Sequence, residues 1–141
     1  MRERLAVSAL VRPPGPLIWM HGASVGELNA VLPLIERICA RDFNMLVTTG
    51  TVSSAELAER RLPPDVIHQF VPLDAAPWVK RFLEHWRPDL ALWVESELWP
   101  NLLLQSAARG VPMALINARL SERSLRGWRR WPGAARELLA A

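Results

Sequence analysis

The run His21-Gly22-Ala23-Ser24-Val25-Gly26-Glu27 sets a hydroxyl and a carboxylate three residues apart, between glycines. A glutamate at the end of such a turn can serve as a general base toward a hydroxyl group. It can equally be a cap. Ser24 and Glu27 have the S-x-x-E spacing in which each side chain satisfies the other's backbone donor, and an acid in a helix's first turn complements the helix dipole. Spacing alone leaves both readings open. Further carboxylates occur at Asp74, Glu95 and Glu97, hydroxyls at Thr48, Thr49 and Thr51, and a polar pair at Asn117 and Arg119. Glu95 is the natural companion of Glu27, because two carboxylates in one crevice with few basic neighbours can support general-base chemistry. Glu97 reads as a dipole partner at the start of a helix. The threonines either line a sugar or phosphate site or cap the helix after them, and Ser53-Ser54-Ala55-Glu56 offers a second capping box.

Other chemistries fit less well. The glycines are spaced G-x-x-x-G, where a dinucleotide turn needs G-x-G-x-x-G, and the second strand ends in threonines where an acid would hold a ribose. His21, His68 and His85 lack metal-ligand spacing, although His21 at a strand end is placed to touch a ligand. No Ser/His/Asp or Cys/His grouping exists. The single cysteine, Cys39, excludes an internal disulfide and reads as a structural thiol in a helix.

The elements that must carry these groups alternate along the chain. Apolar strand patterns cover residues 17–20, 45–48, 66–71, 90–94 and 113–116, with amphipathic stretches of crossover-helix length between them. The strands are nearly continuous in apolar residues, which predicts a parallel sheet with helices on both faces. The punctuation agrees. A helix beginning near Val25 contains Pro33, Pro63-Pro64 separates the second helix from the third strand, and Pro100 suits the first turn of the fourth helix. Gly110 followed by Pro112 closes that helix. The expected fold is α/β and Rossmann-like, with residues 1–16 as an N-terminal stub and 17–141 as the domain. In the usual 3-2-1-4-5 strand order, Glu27 and Glu95 would flank one crevice at the carboxyl edge of the sheet.

The net charge of +3 hides an asymmetry, since six arginines between Arg119 and Arg136 face one acid, Glu122. Arg123, Arg126 and Arg130 fall at helical spacing, interleaved with Trp128 and Trp131. They form either a solvated helix face or a surface for anionic headgroups. Nucleic acid is disfavoured, because no nucleic-acid motif accompanies the patch.

Taken in order, "HGASVGE", "LVTTGTVSSAE", "VPLD", "ESELWPNLL" and "INARLSERS" resemble the N-terminal domain of the 3-deoxy-D-manno-octulosonic acid (Kdo) transferases of bacterial lipopolysaccharide synthesis. The resemblance runs from about Leu17 to the end of the chain. It implies the N-terminal half of a GT-B glycosyltransferase that meets a lipid A precursor at the cytoplasmic face of the inner membrane. The CMP-Kdo donor would be bound mainly by a C-terminal domain outside this sequence. It further implies an inverting transfer to a glucosamine 6-hydroxyl, with Glu27 as base, Glu95 stabilising the transition state, and no metal or cofactor. Ser24, Gly26, Thr49, Glu97 and Arg119 become the expected acceptor contacts. Relatives typically carry a hydrophobic N-terminal anchor and the second domain, so this chain alone is expected not to transfer Kdo. Two alternatives stand beside this reading: a GT-B domain for another acceptor, and a non-catalytic domain that binds anionic lipid.

Overall fold

The computed structural model describes residues 2–95 and 99–118. Five strands and four helices alternate: β1 (Leu17–His21), α1 (Val25–Cys39), β2 (Asn44–Thr49), α2 (Val52–Arg61), β3 (Ile67–Phe70), α3 (Ala76–Trp86), β4 (Leu90–Val94), α4 (Pro100–Ala108) and β5 (Met113–Ile116). All pairings are parallel and the strand order is β3-β2-β1-β4-β5, so the expected Rossmann-like sheet is present. β1 runs one residue past its apolar stretch to include His21. β3 is shorter than its pattern because the Val66 amide turns back to the Pro63 carbonyl. Pro33 sits on the exposed side of α1, and α1 continues through it. α4 ends in a Schellman pattern: Gly110 adopts φ +69°, its amide bonds to Ala107 O, and the Val111 amide bonds to Ser106 O.

Strand alternation sorts the core into two layers. Leu17, Trp19, Leu46, Ala91 and Trp93 meet Val79, Phe82, Leu83 and Trp86 of α3 and Leu102 and Leu103 of α4. Met20, Met45, Val47, Leu92 and Val94 meet Leu28, Val31 and Ile35 of α1 and Ala58 of α2. Trp19 anchors the first layer, its ring 4.8 Å from Phe82 and 4.9 Å from Trp93. Truncating a tryptophan so enclosed costs about 3–5 kcal/mol. At the β5 edge, among the described residues, Ala114 and Leu115 are exposed.

Residues 2–16, set apart by composition as a stub, are tied to this body. The Glu3 carboxylate accepts from the Phe70 amide at 2.7 Å, and the Arg4 carbonyl accepts from the Leu73 amide at 2.8 Å. The Arg4 guanidinium lies 5.0 Å from the centre of the Phe70 ring and donates to the Gly50 carbonyl. Arg12 donates to Trp86 O at 2.8 Å and pairs with Asp89 at 3.2 Å.

A buried polar row crosses the first layer near the carboxyl edge. His21, Thr48 and Gln69 are in register on β1, β2 and β3, and Trp93 pairs with His21 on β4. Trp19 Nε1 donates to Thr48 Oγ1 at 2.9 Å, and Trp86 Nε1 donates to Gln69 Oε1 at 3.1 Å. His21 Nδ1 lies 3.1 Å from Thr48 O. The same nitrogen lies 3.0 Å from the Thr48 hydroxyl, while buried Nε2 meets no partner among the described residues. Burial lowers the His21 pKa from 6.5 to about 4. Between those values the unfolded chain binds a proton that the folded chain refuses, so stability falls as pH drops through this window, by on the order of 3 kcal/mol. Half-buried His68 shifts in the same direction, also through burial. Urea midpoints at pH 7, 5.5 and 4 should fall steeply in the wild type and clearly less in His21→Gln. Parallel slopes in the two proteins would take the acid sensitivity away from His21.

Candidate functional site at the carboxyl edge

The turn after β1 is organised around Glu27. Ser24, in extended conformation, caps α1 by accepting from the Glu27 amide at 3.3 Å. The Glu27 carboxylate accepts the Ser24 hydroxyl at Oε1 (2.7 Å) and the Ala23 amide at Oε2 (2.8 Å). The expected capping box is therefore modified. With one oxygen engaged by the Ser24 hydroxyl, the other reaches one residue further back and takes the amide of Ala23, where a standard box would take that of Ser24. Glu27 is only 7 % exposed, yet each oxygen keeps a second lone pair. Capping and proton acceptance are compatible at this carboxylate.

The same residue, Ala23, links the next loop. The Ala23 carbonyl accepts from the Gly50 amide at 3.0 Å and lies 3.0 Å from the Ser54 hydroxyl. A Cβ on Gly50 would sit 3.0 Å from that carbonyl oxygen, a tight contact that favours glycine here. Ser54 belongs to a reciprocal capping box with Thr51 and not to the expected Ser53–Glu56 pair. Thr51 is the last extended residue before α2, whereas Ser53 is already helical and cannot act as its cap.

At the neighbouring strand ends, Glu95 and Asn117 both leave the sheet in the left-handed region, with φ of +60° and +50°. The Glu95 amide donates to Ile116 O at 3.0 Å, and Asn117 Nδ2 reaches Glu95 Oε1 at 3.5 Å. Gly22 marks where the two carboxylate-bearing loops meet. A Cβ there would lie 3.6 Å from Glu27 Cβ and 3.7 Å from Val94 Cγ2, the residue before Glu95. The fold thus brings Glu27 and Glu95 to adjacent strand ends on one edge of the sheet.

Other expected site residues are placed differently. Thr49 is fully buried, with its hydroxyl 2.9 Å from His68 Nε2, so it offers no surface to a sugar; β2 is an interior strand buried on both faces. Thr48 is equally buried and holds Trp19 and His21. Ser24 is half-buried and Gly26 exposed at the start of α1. Glu97, Arg119, Arg123, Arg126, Trp128, Arg130 and Trp131 lie outside the described residues. Among the described residues, no three His, Cys, Asp or Glu side chains converge as a metal site. Cys39 is half-buried at the end of α1, and burial pushes its thiol pKa up, as suits an unreactive cysteine.

Three contributors carry little or no sequence signal. Ala23 acts through its backbone amide and carbonyl. Asn117 is marked only by asparagine's tolerance of positive φ. Asp74 caps α4 from a distant loop, and the one hint is that Trp99, before Pro100, has no capping side chain of its own.

The profile of the 3-deoxy-D-manno-octulosonic-acid transferase (kdotransferase) family matches residues 1–141. A probable mitochondrial 3-deoxy-D-manno-octulosonic acid transferase of Arabidopsis thaliana is 44 % identical over 129 residues, covering 89 % of this chain and 29 % of the relative. The 3-deoxy-D-manno-octulosonic acid transferase of Rickettsia felis is 44 % identical over 114 residues, covering 79 % of this chain and 24 % of the relative. That of Haemophilus influenzae is 37 % identical over 115 residues, covering 79 % and 27 %. The chain spans less than a third of the length of these relatives. With a five-stranded parallel α/β sheet and the modified S-V-G-E cap at its carboxyl edge, the chain belongs to the Kdo transferase family, whose N-terminal domain it represents.

Proposed function

We propose that this domain is the acceptor side of a GT-B glycosyltransferase that moves Kdo from CMP-Kdo to a lipid A precursor, lipid IVA, in lipopolysaccharide synthesis. The observation that carries the reading is the Glu27 carboxylate, fixed by the Ala23 amide and the Ser24 hydroxyl beside the strand end that bears Glu95. In this mechanism Glu27 takes the proton of the glucosamine 6-hydroxyl. The oxygen forms a bond to the anomeric carbon of Kdo from the face opposite CMP, whose carbon–oxygen bond breaks as the nucleotide leaves with the electron pair. The anomeric centre is inverted. Positive charge develops there in the transition state, and the Glu95 carboxylate is suited to stabilise it. The chain's own part needs no cofactor; the donor is held mainly by a C-terminal domain of the kind the longer relatives have room for. Ser24 and Gly26 border Glu27 as acceptor contacts, with Glu97 and Arg119 proposed beside them.

The acceptor is anchored in lipid, and the arginine- and tryptophan-rich end is proposed to meet the same surface, peripherally at the cytoplasmic face of the inner membrane. No helix among the described residues is long and apolar enough to cross a membrane.

A Rickettsia felis transferase whose N-terminal domain is replaced by this chain gives the direct assay. With CMP-Kdo and lipid IVA, Glu27→Gln should lower kcat by about 10²–10⁴-fold while acceptor binding persists. Undiminished turnover would return Glu27 to capping alone, where its loss costs about 0.5–2 kcal/mol of stability. Gly26→Ala tests the backbone approach, since its Cβ would meet only Ser24 Oγ at 3.9 Å. Thermal stability should hold or rise, by up to ~1 kcal/mol, while affinity for lipid IVA falls; unchanged affinity would remove Gly26 from the contact set. Vesicles with anionic headgroups should bind the 141-residue chain, and Arg126→Ala with Arg130→Ala should weaken binding by about fivefold per arginine. Equal binding to zwitterionic vesicles would sink the electrostatic reading.

A further inference from the structure

We propose that Arg4 is an anion-recognition residue of the carboxyl edge, placed to take a carboxylate or phosphate group of a substrate held beside Glu27. The backbone around Arg4 is fixed from two sides, by the Glu3 carboxylate on the Phe70 amide and by the Arg4 carbonyl on the Leu73 amide. From there the side chain reaches over the Phe70 ring, at the end of β3, and donates through Nη2 to the carbonyl of Gly50, just past the end of β2. Gly50 in turn donates its amide to the Ala23 carbonyl, and the Ala23 amide is bound by Glu27. Along this chain of hydrogen bonds only Gly50 and Ala23 separate Arg4 from the candidate base. The Arg4 charge also reaches the end of β1, where it adds to burial in lowering the His21 pKa.

What the guanidinium lacks is an acid. The ion pairs among the described residues join Arg12 to Asp89 and Lys80 to Glu84, and neither involves Arg4. The adjacent Glu3 carboxylate is already engaged by a backbone amide. A guanidinium carries five N–H donors in a fork that matches carboxylate and phosphate oxygens, and among the described residues Arg4 hydrogen-bonds only to the Gly50 carbonyl. A half-buried charge in this position gains from an ionic partner. The nearby helix starts offer an oxyanion little, since Ser24 and Glu27 close α1 and Thr51 with Ser54 closes α2. A carboxylate base also repels an anionic substrate, and a cation on the adjoining loop offsets that repulsion. Because Arg4 is held in place beforehand, less entropy is lost on binding. This site deepens the proposed function and rests on it for which substrate brings the oxyanion: CMP-Kdo carries the Kdo carboxylate, and lipid IVA carries phosphates.

Titrating the labelled 141-residue chain with inorganic phosphate, and separately with acetate, tests the site without turnover. The Arg4 Nε–H and Gly50 amide resonances should shift saturably with phosphate or acetate, and stay in place in chloride of equal ionic strength. Arg4→Lys keeps the charge and a donor for Gly50 but loses the fork. It should abolish most of the response at a nearly unchanged thermal midpoint. No saturable shift with either anion, or the same shift in Arg4→Lys, would overturn the proposal. In the chimeric transferase, Arg4→Lys should raise the KM for one substrate about tenfold or more, with kcat little changed. A rise for CMP-Kdo assigns the oxyanion to the donor, and a rise for lipid IVA assigns it to the acceptor phosphates. Unchanged KM for both, with or without a lower thermal midpoint, would leave Arg4 as a clamp for residues 2–16 and overturn its substrate role. Full turnover in Glu27→Gln would instead sink the proposed function while leaving the anion titration intact.

Discussion

The carboxyl edge depends on the backbone of one residue, Ala23. The Ala23 amide is taken by Glu27, and its carbonyl by Gly50 with the Ser54 hydroxyl alongside. A residue so placed cannot turn either of its flanking peptide groups without leaving polar groups short of partners, each at a cost of roughly 1–3 kcal/mol when buried. It therefore fixes the start of α1 against the start of α2 and holds a carboxylate where a loop alone would let it wander. The geometry of Glu27 is a property of three elements rather than of one side chain.

The same economy extends along the edge. α1 is closed by Ser24 and Glu27, α2 by Thr51 and Ser54, and α4 by Asp74. A helix start whose amides are already met by hydroxyl or carboxylate oxygens has little left to offer a phosphate. On the proposed function, the glycines of the first turn give room to a hydroxyl-bearing acceptor. Beneath them the polar row from Gln69 to His21 keeps the floor rigid through bonds between tryptophan indoles and polar side chains, and its histidine stays neutral.

Much of this was legible in the sequence because it follows from period and punctuation. The five strands, the start of α1 at Val25 and the stop at Gly110 are local signals that the tertiary structure leaves alone, and the sheet order is the usual one for such a fold. Reading became harder wherever a side chain had two equally local partners. The second capping box moved from Ser53 and Glu56 to Thr51 and Ser54, since only the backbone decides which residue is the last extended one. Thr49 looked available but faces inward, because β2 runs one residue further than its apolar pattern. Asp74 gave no sign of its target, since capping from another loop leaves no spacing to read. The exposure of Ala114 and Leu115 was hidden for the opposite reason: an edge strand and a central strand of a parallel sheet carry the same apolar letters.

The left-handed backbones of Glu95 and Asn117 have a consequence for anyone breeding this domain for robustness. Glycine would adopt both conformations without strain, so a screen that rewards heat resistance alone should drift toward glycine at 95 and 117. Each such gain would erase a functional group from the edge of the sheet. Residual strain at these two positions is then a record of selection for something other than endurance, and its disappearance in a hardened variant would warn that the chemistry had been traded away.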